Sequence, residues 1–336
     1  MKKIAEGLPP AAEIAERRTP TGVQSLRQLF RRRAFVLTLN AATYAGLVAL
    51  FAQLLGHGGF TLLDGLLLAA FCLSTPWTIL GFWNALIGLW LLHGPGDARA
   101  SVYPYAGRAA DDAPITARVA VVMTLRNEDP ERAFARLRAM QADLAAAGAG
   151  GRFAWFVLSD TTDPAIAAAE ERIFAAWRAS LGEGVSLSYR RRLENTGFKA
   201  GNIRDFLERW GDAHDFMLVL DADSLIGAST MLRLVRVMQA NPRLGILQSL
   251  VVGLPSRSPF ARIFQFGMRH GMRSYTMGAS WWAGDCGPYW GAQCGDPHRP
   301  VQGALRAAGA ARQGAARRAH PLARPDRGGA DAPRRL

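Results

Sequence analysis

The chain has 336 residues and a formal charge of +13, with 49% hydrophobic and 20% charged residues, so its length leaves room for about two domains. Its three cysteines, Cys72, Cys286 and Cys294, are too few and too scattered for a disulfide framework or a zinc site, and they fit a reducing compartment. A basic balance raises nucleic acid or an anionic membrane surface as partners, and here the apolar excess (34–92) and the arginines (many after Gly291) are segregated along the chain.

Residues 1–33 form a basic segment, with Arg17, Arg18, Arg27, Arg31, Arg32 and Arg33 ahead of the first apolar run. Ala34–Leu55 carries no charge and is long enough to span a bilayer as a helix. Asn40, Thr43 and Gln53 within it are neutral polar residues of the kind tolerated against a neighbouring helix. After His57-Gly58-Gly59, Phe60–Leu92 is apolar apart from Asp64 near its start, and Pro76 in its middle predicts a tilted helix with a kink. Trp77 and Trp90 suit an interfacial belt, whereas Trp83 suits a helix neighbour. The alternative is a pair of buried core helices. The loop between the runs has no Lys or Arg, so the positive-inside rule puts both ends of a transmembrane pair (34–92) in the cytoplasm.

A linker rich in Gly, Pro and Asp (93–117) precedes a pattern of alternating strands and helices. Arg118–Leu125, Phe153–Leu158, Val185–Tyr189, Phe216–Leu220 and Leu244–Val251 read as strands. Pro130–Ala147, the stretch from Asp163-Pro164 to Ser180, Lys199–Trp210 and Thr230–Gln239 read as helices. The alternation predicts an α/β domain over 118–291, a mostly parallel sheet with helices on both faces. Ligands of such sheets bind beyond the carboxyl ends of the strands. That rule singles out Arg126-Asn127-Glu128, Ser159-Asp160 and Asp221-Ala222-Asp223.

In FMLVLDADS (216–224) a buried strand runs into two carboxylates two residues apart. In extended backbone Asp221 and Asp223 share a side and can converge on a hard cation, Mg2+ or Mn2+, that keeps positions open for phosphate oxygens. The competing reading is a turn or a cap for the helix that follows. Asp160 alone reads as a cap or turn residue; on the same rim it could accept a hydrogen bond from a nucleobase imide. Lys199 is the only lysine after Lys3, against 37 arginines, and it stands in the glycine-bracketed GFKAGN opening a helix, which suits a phosphate. The alternative is a chance surface lysine. Arg190-Arg191-Arg192 reads as a solvated charge run.

NTGFKAGN, VLDADS, Gln248-Ser249 and PYWG (288–291) together resemble membrane synthases of glycosyltransferase family 2. Arg209-Trp210-Gly211, ANPRLGILQS and the two leading apolar runs narrow the resemblance to the glucans biosynthesis glucosyltransferase H family, over roughly 30–291. The resemblance implies a GT-A-like fold, UDP-glucose as donor, a β-glucan acceptor destined for osmoregulated periplasmic glucans, and a bacterial inner membrane with its lipid as surroundings. Carried over by position, Asp160 meets the uracil, Lys199 the diphosphate, Asp221 the nucleotide and Asp223 the metal, with Gln248 and Trp290 near the acceptor. Other glucan-assembly proteins are not identified by it. A cellulose- or chitin-like synthase, and a non-catalytic membrane protein that only binds UDP-sugar, are the competing functions.

Beyond Gly291 the sequence is almost wholly Ala, Arg, Gly, Pro and Asp, without aromatic residues or strand alternation. Residues 292–336 therefore read as a disordered, out-of-frame or truncated tail. A nucleic-acid arm is discounted because nothing stacks or patterns with the arginines. The family places its general base and acceptor motif beyond that point, so the expectation is donor binding without polymerisation; a base within 1–291 would point to Glu128 or Asp285.

Overall fold

The computed structural model describes residues 25–182, 184–242, 244–284 and 294–295. The chain divides into two compact units. One holds the chain up to Pro114 with Arg236–Asn241 and the stretch from Gln248; the other holds Ile115–Val235 and Pro242–Leu247 with the strand at 294–295.

In the first unit, α1 spans Leu26–Gly56 and α2 spans Leu62–His93. Both are long and apolar enough to cross a membrane, and little of either is buried within the protein. Ser25 caps α1 by accepting the Gln28 amide, so the helix begins eight residues ahead of the uncharged run. Arg27 and Arg31–Arg33 therefore lie inside the helix rather than ahead of it, a correction to the sequence reading. Thr61 and Asp64 form a capping box that starts α2, which explains the one acid in its first turn.

α2 runs unbroken through Pro76. A proline lacks the N–H that would bond the carbonyl four residues back, here that of Cys72. Tyr44 of α1 fills the gap, donating its hydroxyl to Cys72 O at 3.3 Å. Trp83 Nε1 donates to Thr43 Oγ1 at 3.0 Å, so Trp83 does face a helix neighbour. Phe51 stacks on Phe71 with centroids 4.4 Å apart.

The same unit contains α7, Pro259–Ala283, where sequence reasoning placed no element. (Between α2 and α7 the first unit also holds the short helix Ala98–Val102; the longer helices belong to the second unit or straddle the two.) Its C-terminal carbonyls are held by two arginines of α1. Arg32 Nη1 donates to Trp281 O at 3.1 Å, Arg33 Nε to Trp282 O at 3.2 Å and Arg33 Nη2 to Ala283 O at 2.9 Å. Cations on the last carbonyls also suit the helix dipole. A Cβ on Gly88 would collide with Ser274 O, and one on Gly278 with Asn84 O. The two backbones thus meet at a small-residue crossing of the kind common between membrane helices.

The second unit is a sheet of order β3-β2-β1-β4-β6-β5. β1 is Val119–Leu125, β2 Phe153–Ser159, β3 Leu187–Arg191 and β4 Phe216–Asp221, all parallel. β5, Ile246–Leu247, and β6, Cys294–Gly295, are short, and β6 is antiparallel to both neighbours. The predicted fifth strand Leu244–Val251 thus shrinks to two residues; its ladder partner is equally short, and Leu250 and Val251 are exposed. Residues 294–295 belong to the sheet although the sequence assigned them to the tail; the remainder of that assignment lies outside the described residues.

The helices are α3, Pro130–Ala146; α4, Pro164–Ser180; α5, Phe198–Trp210; and α6, Ala228–Ala240. Asp129 caps α3 and Asp163 caps α4, each followed by proline at the first turn. Ala120, Val122, Phe156, Leu158, Met217 and Val219 pack one face of the sheet against Phe206 and Leu207 of α5. The alternate residues Val121, Met123, Trp155, Val157, Leu218 and Leu220 are also buried and point to the other face. Burial of both sets is why the strands read as continuous apolar runs. The expected α/β sheet, covered on both sides and preceded by two long apolar helices, is what the chain forms.

Candidate active site

Successive strands run outward from β1 to β2 and β3, and the chain then returns to β4 on the other side of β1. The reversal opens a crevice at the carboxyl ends of β1 and β4. Asp221 is the last residue of β4, and Ala222-Asp223 turn away from it. The extended-chain alternation expected of these two carboxylates therefore stops at Asp221, because the strand does. Ser224 closes the turn, accepting the Asp221 amide on Oγ at 3.1 Å. The role of capping the next helix, open to these aspartates in the sequence, is taken by Asp143, which accepts the Ala228 amide at 2.6 Å. Asp223 is exposed, and among the described residues its carboxylate takes no hydrogen bond or ion pair.

Lys199 and Asp221 form an ion pair across the crevice, both side chains about half exposed. The loop that delivers Lys199 is built residue by residue from its sequence. Gly197 has φ +75, which glycine adopts freely. A Cβ on Gly201 would collide with the Thr196 carbonyl oxygen. Asn195 Nδ2 donates to Asp160 O at 2.7 Å, and buried Asn202 Nδ2 donates to Leu158 O at 3.2 Å. NTGFKAGN thus anchors the start of α5 to the end of β2. Phe198 sits at φ +50, unusual for a residue with a side chain, and its exposed ring lies under the Arg126 guanidinium at 5.3 Å.

Asp160 follows β2 and is almost wholly buried. Arg192 forks onto it, Nε to Oδ1 at 2.7 Å and Nη2 to Oδ2 at 2.6 Å, and also donates to Thr196 O and Phe198 O at 3.1 Å. Arg190 reaches Asp205 at 3.0 Å and Asn202 O at 3.1 Å, while its Nε and Nη1 find no hydrogen-bond partner among the described residues. Burial pulls the Arg190 guanidinium below its usual range. The reading of 190–192 as a solvated run is corrected for Arg190, in β3, and Arg192, just past its end: both turn inward. On the opposite face of β3, the side that Tyr189 takes, Glu170 is fully buried and accepts Thr161 Oγ1 at 2.6 Å and Tyr189 OH at 2.9 Å. Burial, with that carboxylate beside it, pushes the Tyr189 hydroxyl well above its ordinary range.

Of the other sequence candidates, Asn127 (φ +55) staples the β1 and β2 ends, its Oδ1 accepting the amides of Thr162 and Asp163 at 2.9 and 3.1 Å. Glu128 is exposed on the same loop. Gln248 directly follows β5 and belongs to the other unit. Trp290 and Asp285 lie outside the described residues. Among the described residues no group of three or more His, Cys, Asp or Glu gathers as a protein-only metal cage. Asp223 and Asp221 are hard oxygen donors that fit an ion of the Mg2+ type, which takes one or two carboxylates and fills its other positions with phosphate oxygens and water.

No family model matches the chain. It is 36% identical over 298 residues to the glucans biosynthesis glucosyltransferase H of Rhodopseudomonas palustris strain BisA53, covering 84% of this chain and 40% of that protein. Against the protein of the same name in Bradyrhizobium diazoefficiens it is 38% identical over 288 residues, 84% of this chain and 36% of the other. The Vibrio cholerae protein of that name is 34% identical over 291 residues, 87% and 38%. Over the matched region the chain is similar in sequence to the glucans biosynthesis glucosyltransferase H family. The chain spans 36–40% of the length of these relatives. Among solved structures, a mannosyltransferase from Pyrobaculum calidifontis in complex with GDP-Man and Mn2+ is similar with a TM-score of 0.31 and 18% identity, over 54% of this chain and 50% of that one.

Proposed function

We propose that the chain carries the donor half of a membrane-bound glucosyltransferase that takes glucose from UDP-glucose for a growing β-glucan backbone of osmoregulated periplasmic glucans. The observation that supports this most is the crevice beyond β1 and β4, where the Lys199–Asp221 pair stands at the strand end next to the free carboxylate of Asp223. In this reading Lys199 and the amino end of α5 offset the charge of the diphosphate. Asp223, with Asp221 beside it, holds Mg2+ or Mn2+, which when bound neutralises charge developing on the departing UDP. Asp160 accepts from the uracil imide while Arg192 fixes its carboxylate. Gln248 and Trp290 are assigned to the acceptor sugar by the family resemblance alone, and Trp290 lies outside the described residues. α1 and α2 cross the inner membrane with the sheet on the cytoplasmic side, consistent with the arginines at the start of α1.

The test uses the full chain in detergent. UDP binding, followed by calorimetry, is expected to require Mg2+ or Mn2+, and Asp223→Ala to remove that requirement. Asp221→Ala is expected to weaken nucleotide affinity instead. UDP binding that ignores both the metal and Asp223→Ala would reject the reading.

A further inference from the structure

The loop from Asp221 to Ala228 carries both acidic residues, and one stripe of α3 holds it at three points. Arg136 Nη1 donates to Ala222 O at 2.9 Å. The Ile226 amide donates to Met140 Sδ at 3.4 Å, and the Ala228 amide to Asp143 Oδ2 at 2.6 Å. Positions 136, 140 and 143 have the i, i+4, i+7 spacing that lines up side chains on one helix face. The middle contact is the weakest, since a thioether is a poor acceptor.

The first contact bears directly on Asp223. The carbonyl of Ala222 and the amide of Asp223 belong to one planar peptide unit. Arg136 therefore fixes the plane from which the Asp223 side chain departs. Among the described residues nothing bonds that side chain itself. We infer that the Arg136–Met140–Asp143 stripe positions Asp223 and thereby sets the affinity of the site for its divalent cation. The inference rests on Asp223 being the metal ligand. These three are positioning residues, placed behind the loop rather than at the ion.

The experiment combines amide hydrogen exchange across 221–228 with Mn2+ titration in the presence of UDP, read by the Mn2+ electron paramagnetic resonance signal, on the full chain in detergent. A hydrogen bond to a charged group is worth about tenfold or more in an opening equilibrium. Arg136→Ala is therefore expected to speed exchange in the loop about tenfold and to weaken Mn2+ binding by roughly the same factor. Arg136→Lys, which can still reach the carbonyl, is expected to restore most of both. Asp143→Ala is expected to speed exchange at Ala228, and Asp143→Asn to preserve it. Arg138→Ala, exposed on the same helix, is expected to change neither reading. Wild-type exchange in Arg136→Ala would overturn the inference, and so would faster exchange with unchanged Mn2+ affinity. A wild-type chain that binds no Mn2+ with UDP would reject the donor-site reading and the metal half of the inference, while the exchange data still decide whether the stripe holds the loop.

Discussion

Asp160 and Arg192 face each other with side chains only 4% and 12% exposed, joined by two hydrogen bonds. Breaking such a pair leaves one charge stranded in a poorly solvated place, at a cost of about 3–5 kcal/mol, whereas replacing both partners costs much less. Asp160→Asn and Arg192→Gln are each expected to lower the thermal midpoint, followed by tryptophan fluorescence. The double variant is expected to fall well short of the sum; additive losses would show that the pair does not act as a unit. The same residues show where sequence reading stops. Asp160 was legible as a rim residue because a strand ends just before it. Arg192 was not, because three consecutive arginines look solvated until the end of β3 is known to turn the first and third inward. Arg136 and Asp143 were invisible for a related reason: they act on the backbone of a loop some eighty residues away.

At the scale of elements, the strands announced themselves through apolar runs, and the capped helices through Asp-Pro starts. NTGFKAGN was legible through its two glycines, which meet local demands: a left-handed turn at Gly197 and a close approach at Gly201. α7 escaped notice although Pro259 marks its first turn, because Gly267, Gly271 and Gly278 weaken any helical reading. Gly278 earns its place only in the crossing with α2. Gly278→Ala is expected to push the helices apart, disturbing the Trp282–Asn84 hydrogen bond of 2.8 Å and costing about 1–3 kcal/mol. Limited trypsin digestion in membranes would register this as faster cleavage at Arg262 and Arg269; an unchanged rate would mean that the crossing tolerates a methyl group.

At the scale of the whole molecule, the charge of +13 says less than its placement. Arginines at the start of α1 and none between α1 and α2 predict that reporter fusions at residues 25 and 110 both report cytoplasm. A periplasmic signal from either would overturn the orientation. The clamp on α7 has a further meaning in time. Arg32 and Arg33 bond carbonyls 249–250 positions later in the chain. At about 5–20 residues per second, a ribosome takes roughly 12–50 s to make that stretch. For that interval Arg33 and the bare backbone at Gly88 wait for α7, and Arg32 has only the nearer carbonyl of Ser101 at 3.2 Å, while the strands of the sheet emerge and can fold. Arg33, in the first helix made, is thus among the last residues to find its partners.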